Sequence, residues 1–370
     1  MLSLLNNSIK VWQRYYFLKL IFCAFVYIYR MILISGATGF LGTHLLKTLC
    51  LEHEKNIRAL YRSEHKKKYT LNFLKTILPK ECQTNISRIE WTKADILNIP
   101  ELDKAFDDIT NVYHCAAWVG NSPQDYNTMR KVNIEGTANM VNLALYHHVV
   151  KFCHVSSIAA LGQYQDTHVI DEKAPRDSEH SKSRYSITKF GAEMEVWRAS
   201  QEGLNVVIVN PGLILGSGFF DSGSGMIFNK VLNNFKFYPP KQTGFVFVDD
   251  VILAMIKLMQ SDIINQRYIL VGENTSFKKV MITIANTFQR KPPQYKINKL
   301  ALYILWVFQN ILSLFKSQKN QITLNTIRQI NSKRIFSNKK SVQDLGLQYT
   351  SLDKSINLIF EDYKKLKKTI

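Results

Sequence analysis

Met31-Ile32-Leu33-Ile34-Ser35-Gly36-Ala37-Thr38-Gly39-Phe40-Leu41-Gly42 is the stretch that decides how this chain folds. The apolar run Met31 to Ile34 reads as a buried strand. It passes through three glycines, each three residues from the next, into the amphipathic stretch Thr43 to Leu51. A strand that turns through glycines into a helix N-terminus forms a site for a dinucleotide pyrophosphate. Gly36 permits the tight turn, Gly39 lets the backbone approach the phosphates, and Gly42 lets helix pack on strand. The anion then rests on N–H groups that the helix leaves unpaired, at the positive end of its dipole.

Outward from this turn, apolar strand-like runs alternate with helical segments. Strands are expected at Ile57–Arg62, Arg88–Trp91, Asn111–Cys115, Lys151–Ser156 and Leu204–Asn210. That alternation predicts an α/β fold, a doubly wound parallel sheet covered by helices on both faces. With 370 residues, 46% of them hydrophobic, the chain can bury a large core in one domain or two interwoven ones. The expected division is an N-terminal extension at 1–30, a dinucleotide-binding domain at 31–210 and a smaller substrate domain at 211–370. A segment near 244–262 is expected to return to the core.

The net charge of +19 and a pI near 9.6 raise the question of polyanionic partners. The lysines are scattered, with no recognition helix and no basic stripe interleaved with aromatics, which argues against nucleic acid. Five cysteines (Cys23, Cys50, Cys82, Cys115, Cys153) show no C-x-x-C pair and no metal-ligand spacing. They suit a reducing, cytoplasmic compartment, and no metal site is expected.

A second motif says what the bound nucleotide is for. Tyr185 and Lys189 lie four apart in Tyr185-Ser186-Ile187-Thr188-Lys189, within a helical reading of Arg184 to Gln201, so they share one face. A free tyrosine titrates near pH ~10 and is a poor proton donor or acceptor at neutrality. An ammonium on the same face, with an oxidised nicotinamide nearby, is expected to favour the phenolate and lower that value.

With both motifs, the chain resembles the extended short-chain dehydrogenases/reductases, also called the NAD-dependent epimerase/dehydratase family. The resemblance runs from about Met31 to about Phe360 and implies a Rossmann fold with an interwoven C-terminal substrate domain. Val112-Tyr113-His114-Cys115-Ala116-Ala117 resembles the family's fourth-strand segment along the cofactor. Val132-Asn133-Ile134-Glu135-Gly136-Thr137 resembles its N-x-x-G-T helix. Val155-Ser156-Ser157-Ile158-Ala159-Ala160-Leu161-Gly162 resembles the strand end that supplies the catalytic hydroxyl.

The resemblance implies that Ser157 orients the substrate oxygen and Tyr185 is the general acid/base. Lys189 would hold the nicotinamide ribose and shift Tyr185, and Asn133 would keep a proton path or the Lys189 geometry. Of the paired serines only one should face the substrate, because side chains alternate along a strand. Gly36, Thr38, Gly39, Phe40, Leu41 and Gly42 would cradle the phosphates, Asp95 and Ile96 the adenine, and Ala116 and Ala117 would line the cofactor.

Arg62 stands where an NAD-preferring protein offers a carboxylate to the ribose hydroxyls, and Arg62 with Ser63 suits a 2′-phosphate. NADP is therefore the expected cofactor and NAD the alternative, with Arg62 turned to solvent. Asn210-Pro211-Gly212-Leu213-Ile214-Leu215-Gly216 resembles the family segment beside the nicotinamide, with Asn210 replacing the usual Arg and Gly212 following. That departure favours the branch of dihydroflavonol reductases and 3β-hydroxysteroid dehydrogenases over nucleotide-sugar enzymes.

The expected function is hydride transfer between NADPH and a carbonyl or hydroxyl of a lipophilic or aromatic small molecule. Trp118 and Tyr164 are expected to line its pocket. The alternative is a nucleotide-sugar epimerase or dehydratase with tightly bound NAD. Gly216 to Gly225 reads as a mobile loop near the site, and Asp249 or Asp250 as an N-cap.

Two apolar segments bear on membranes. Tyr15 to Tyr29, flanked by Arg14 and Arg30, is shorter than the ~20 residues of a span. Since Met31 opens the first strand, where proteins of this family commonly begin, residues 1–30 read as an extension from a misplaced start. The alternatives are a hydrophobic anchor and a cleaved signal. Leu300 to Phe315 reads as a buried helix of the smaller domain, with a membrane-facing helix as the alternative. Peripheral membrane contact and a homodimer are both compatible with this reading.

Overall fold

Seven parallel strands form the central sheet of the chain in a computed structural model that describes residues 31–52, 56–120, 123–164, 169–176, 183–313 and 323–369. The expectations for residues 1–30 lie outside the described residues. Six of the strands are β1 (Met31–Ser35), β2 (Ile57–Tyr61), β3 (Ile89–Lys93), β4 (Ile109–His114), β5 (Lys151–Val155) and β6 (Val206–Pro211). Beyond β6, β7 (Leu213–Leu215) and β8 (Gln242–Phe247) leave the sheet, and β9 (Gln266–Leu270) returns to it as an edge strand that the sequence reading did not anticipate.

The order across the sheet is β9-β6-β5-β4-β1-β2-β3. The chain winds outward from β1 through β2 to β3, then restarts at β4 on the other side of β1 and winds away. This is the doubly wound fold, and its switch point lies between β1 and β4, where a crevice opens beyond the strand C-termini.

Each central strand is buried on both faces, and successive residues serve different cores. Ile32 and Ile34 of β1 and Val207 and Val209 of β6 pack against helices α1 (Phe40–Leu51) and α2 (Glu64–Ile77) through Leu45, Leu46, Phe73 and Leu74. Leu33, Val206 and Ile208 point the other way, onto Met140 and Val141 of α3 (Gly136–Tyr146) and Val196 and Ala199 of α4 (Arg184–Gln201). Helix α5 (Val248–Gln260) joins the first core through Val251 and Met255.

Its acidic first turn differs from the expectation. Phe247 occupies the N-cap, and the two aspartates bind elsewhere. Asp249 accepts from Lys47 Nζ of α1 at 2.8 Å, and Asp250 accepts from the N–H and hydroxyl of Thr350 at 2.9 and 2.8 Å.

The smaller unit is a three-stranded sheet in which β8 pairs in parallel with β7 and antiparallel with β10 (Glu273–Ser276). Against it pack α6 (Phe277–Thr287) and α8 (Leu352–Thr369), and α7 (Lys299–Ser313) lies between them in the chain. The Gly216–Gly225 segment packs back on the core. Phe219 meets Phe40, Tyr69 and Phe73 with ring centroids 5.3–6.1 Å apart.

Candidate active site

The turn after β1 has no room for side chains. Gly36 sits at φ +68°, and a Cβ there would lie 2.6 Å from the Ala116 backbone nitrogen. A Cβ on Gly42 would lie 2.7 Å from the Ala37 Cα and overlap the Gly36 carbonyl oxygen. Gly39 is the N-cap of α1 in extended conformation, and no side chain caps the helix. Bare N–H groups at a helix N-terminus, approached only by glycine backbone, fit a dinucleotide pyrophosphate.

A buried relay fixes this turn to its neighbours. Ser35 Oγ lies 2.6 Å from His114 Nδ1, and His114 Nε2 lies 2.9 Å from Thr137 Oγ1. Thr137 donates its own proton to the Asn133 carbonyl at 2.6 Å, so His114 must donate from Nε2 and accept from Ser35. Burial, helped by the nearby Lys189 charge, pushes the imidazole down to about 3, so it stays neutral.

Asn133 lies in a π-helical turn, Lys131–Glu135, and is almost fully buried. Its Oδ1 accepts from the Trp118 N–H at 2.7 Å, while its Nδ2 donates to the Trp118 carbonyl and to Thr188 Oγ1, each at 3.0 Å. It thus clamps the segment after β4 to α4. Its link to Lys189 runs through the adjacent Thr188.

Ser157 follows β5 and caps the short turn Ile158–Ala160, its Oγ accepting from the Ala159 N–H at 3.1 Å. Its hydroxyl also lies close enough to Tyr185 to act on the phenol. Ser156 is buried, and its hydroxyl has no partner among the described residues. The structure therefore brings Ser157, and not Ser156, to the tyrosine.

Lys189 is buried, and its Nζ donates to the Val155 carbonyl at 2.6 Å. Burial pushes the ammonium down to about 8, while the Glu193 carboxylate pulls it upward. For Tyr185 the direction differs from the expectation. Burial raises the phenol above its ordinary value, and it is the Ser157 hydroxyl, not Lys189, that works the other way.

Sequence reasoning missed the cluster beneath this trio. Glu193 is 0% exposed, accepting from Asn210 Nδ2 at 2.6 Å and from Arg267 Nη1 at 3.3 Å. Asn210 Nδ2 also donates to the Ser157 carbonyl at 3.0 Å. The Asn210 Nδ2 is thus turned to Ser157 and α4, and its Oδ1 is buried with no partner among the described residues. The spacing of Tyr185, Lys189 and Glu193 (i, i+4, i+8) was the available signal. Arg267 had none, because it arrives on β9. Gly212 serves close backbone packing: its N–H donates to the Leu270 carbonyl at 2.9 Å, and a Cβ would lie 2.5 Å from the Gly244 carbonyl oxygen.

At the far end of the crevice, Arg62 follows β2 and donates to Asp95 Oδ2 at 3.2 Å, with both groups solvent-accessible. Ser63 caps α2 by accepting from the Lys66 N–H at 3.4 Å. Asp95 Oδ1 accepts from the Leu97 N–H at 3.0 Å, and the Ile96 side chain fills the space over Gly136. Ala116 lies against Gly36, and its N–H reaches Ser35 Oγ at 3.4 Å. Of the residues expected at the substrate, Trp118 is 37% exposed. Tyr164 donates to Asp171 Oδ1 at 2.7 Å and packs on a side cluster that includes Ile170 and Phe336.

Comparison with known proteins agrees with this geometry. Residues 34–255 match the NAD-binding family described as "Male sterility protein". Cinnamoyl-CoA reductase 1 of Petunia hybrida is 25% identical over 349 residues, 91% of this chain and 92% of that protein. Sterol demethylase protein B of Methylococcus capsulatus is 24% identical over 325 residues, 86% of this chain and 94% of that protein. Among solved structures, gox2253 is similar with a TM-score of 0.72 at 25% identity, covering 90% of this chain and 98% of that one. The glycine turn, the doubly wound sheet and these matches lead to one statement: the chain belongs to the male sterility family of NAD-binding proteins, within the extended short-chain dehydrogenases/reductases, and is an NAD(P)-dependent oxidoreductase.

Proposed function

We propose that the chain is an NADPH-dependent reductase of a lipophilic or aromatic carbonyl, with Tyr185 as the general acid. The observation that carries this reading is the placement of the Ser157 hydroxyl where it acts on the Tyr185 phenol, set beside a buried Lys189 tied to the end of β5. When bound, the nicotinamide supplies the hydride that reaches the carbonyl carbon. Tyr185 Oη gives its proton to the carbonyl oxygen, and the Ser157 hydroxyl orients that oxygen. Burial keeps the phenol protonated across neutral pH, which suits a donor. After donation, the Ser157 hydroxyl favours the phenolate.

Arg62 supports the NADPH preference. It offers an accessible guanidinium after β2, with Ser63 and no carboxylate in the adjoining position. The relatives are named for a cinnamoyl thioester and for a sterol, and the reacting cinnamoyl group and the sterol are apolar, which supports a lipophilic reacting group over a sugar. Purified protein is expected to bind NADPH exchangeably and more tightly than NADH. Tyr185→Phe is expected to lower kcat for carbonyl reduction by ~10²–10⁴-fold with the NADPH Kd nearly unchanged. Full turnover in that variant would remove Tyr185 from the role, and tightly retained NAD would move the reading to internal redox on a nucleotide sugar.

A further inference from the structure

Helix α7 turns most of its apolar surface to water, where the sequence suggested a buried helix. Leu302 and Trp306 are half-buried, whereas Leu300, Ile304 and Phe308 stand at i, i+4 and i+8 and are 65%, 60% and 59% exposed. Tyr303, Leu305 and Val307, also exposed, widen that face. Single apolar side chains on a surface are ordinary, but a contiguous face of six marks an interaction site.

A second apolar group adjoins it in the chain. The exposed rings of Phe237 and Tyr295 are 5.8 Å apart on two short strands that pair in parallel, and Phe235 lies 5.7 Å from Phe237. Tyr295 comes four residues before α7 begins.

Charge says what covers this surface. From Asn274 to Gln343 the chain carries thirteen Lys or Arg and no Asp or Glu. Lys236, Arg290, Lys291, Lys296 and Lys299 are exposed on the segments that hold the aromatic rings and lead into α7. A second copy would bring the same cations against these, with no carboxylates in this stretch to meet them. An anionic bilayer accepts both features: apolar side chains enter the acyl boundary, Tyr and Trp suit the interface, and lysines meet the headgroups. A helix of 15 residues is ~22 Å long. That is short of the ~30 Å hydrocarbon core, and no described helix is long and apolar enough to cross a membrane.

We propose that α7, with Phe235, Phe237 and Tyr295, is an interfacial docking surface for anionic membranes, lying in the plane of the bilayer. This holds or fails independently of the chemistry assigned to Tyr185. The test is co-sedimentation of the full chain with phosphatidylcholine vesicles, with and without phosphatidylglycerol, at low and high salt.

The intact chain is expected to sediment with the phosphatidylglycerol vesicles, and less so at high salt. Ile304→Glu/Phe308→Glu is expected to weaken that binding by about tenfold or more. Lys291→Glu/Lys296→Glu is expected to lose the preference for phosphatidylglycerol, and both variants should keep the NADPH affinity of the parent. Absence of vesicle binding by the intact chain would overturn the proposal. So would undiminished binding by Ile304→Glu/Phe308→Glu, which would place membrane contact elsewhere. A dimer that the same variant turns to monomer, without vesicle binding, would assign the face to a second copy.

Discussion

Glu193→Gln removes one charge from beneath the site and leaves the side chain's shape, so its effect on Lys189 can be worked out in advance. The two residues are one turn apart on α4, and Cβ atoms at that spacing are ~5–6 Å apart. At ~6 Å and an effective dielectric of ~20, opposite charges attract by roughly 3 kcal/mol, or about 2 pH units of titration. Arg267 shares the Glu193 field, so the realised change is about 1–2 pH units. The sign follows from the parent: burial pushes Lys189 down to about 8 and Glu193 pulls it up, so the variant's ammonium titrates lower still. At pH 7 Lys189 changes from mostly charged to about half neutral or more. The assay is kcat/KM for NADPH against pH, which reports ionisations of the free enzyme. The parent's alkaline limb is expected near pH 8, and the variant's about 1–2 pH units lower. Asn210→Ala, which keeps the carboxylate, should leave the limb near the parent's. Unpairing Arg267 is expected to lower stability by about 1–3 kcal/mol in urea, discounted because Arg267 is part-exposed. Superimposable limbs, or a limb moved upward, would refute the assigned coupling.

Gly36→Ala combines a positive φ with a 2.6 Å backbone contact, and is expected to cost about 2–4 kcal/mol in urea unfolding and to abolish tight NADPH binding. A urea midpoint like the parent's would contradict the packing described. Arg62→Ala is expected to raise the NADPH Kd about tenfold while leaving NADH nearly unchanged, measured by fluorescence titration; equal losses for both cofactors would place Arg62 away from the 2′-phosphate. His114 is held at about 3 when folded, against 6.5 when free, so its contribution to stability is complete above pH 6.5 and is lost as pH falls toward 3. His114→Gln should therefore show a flatter acid limb in urea midpoint against pH than the parent, and identical slopes would falsify the buried neutral assignment.

The glycine turn was legible because its steric demand is written in the residue type: at Gly36 and Gly42 no other residue fits. Strands β1 to β6 were legible from apolar runs, with ends shifted by a residue or two. β9 was not, for it opens with Gln266-Arg267 and lies far beyond β6 in the chain, and only the sheet's free edge makes it a strand. Asp249 and Asp250 read as a cap because that is the local role of aspartate before a helix. Their actual partners, Lys47 and Thr350, are about 200 and 100 positions away, out of reach of local patterning. Helix α7 shows the same limit, since apolar composition says that a face needs cover without saying what covers it.

Helix α4 explains why the site was found by motif and missed by periodicity. Its apolar residues Ile187 and Met194 are exposed, while Ser186, Thr188, Lys189 and Glu193 face inward. A helix that buries polar groups and shows apolar ones to water is poorly arranged for stability alone, because a buried charge must be hydrogen-bonded to be tolerated at all. Here Thr188 holds the Asn133 amide, and the other three hold the end of β5. Lys189 holds the Val155 carbonyl, Ser186 donates to the Ala159 carbonyl at 2.6 Å, and Glu193 orients the Asn210 amide that holds the Ser157 carbonyl. Two bonds from the helix and a third relayed through Asn210 thus hold the carbonyls of Val155, Ala159 and Ser157, with Ser157 at the centre. That over-determination is what a hydroxyl needs if it is to keep its geometry toward Tyr185 without reorganising during reaction. The inverted face of α4 is therefore the physical mark of the site, and it becomes visible only once the strand it grips is known.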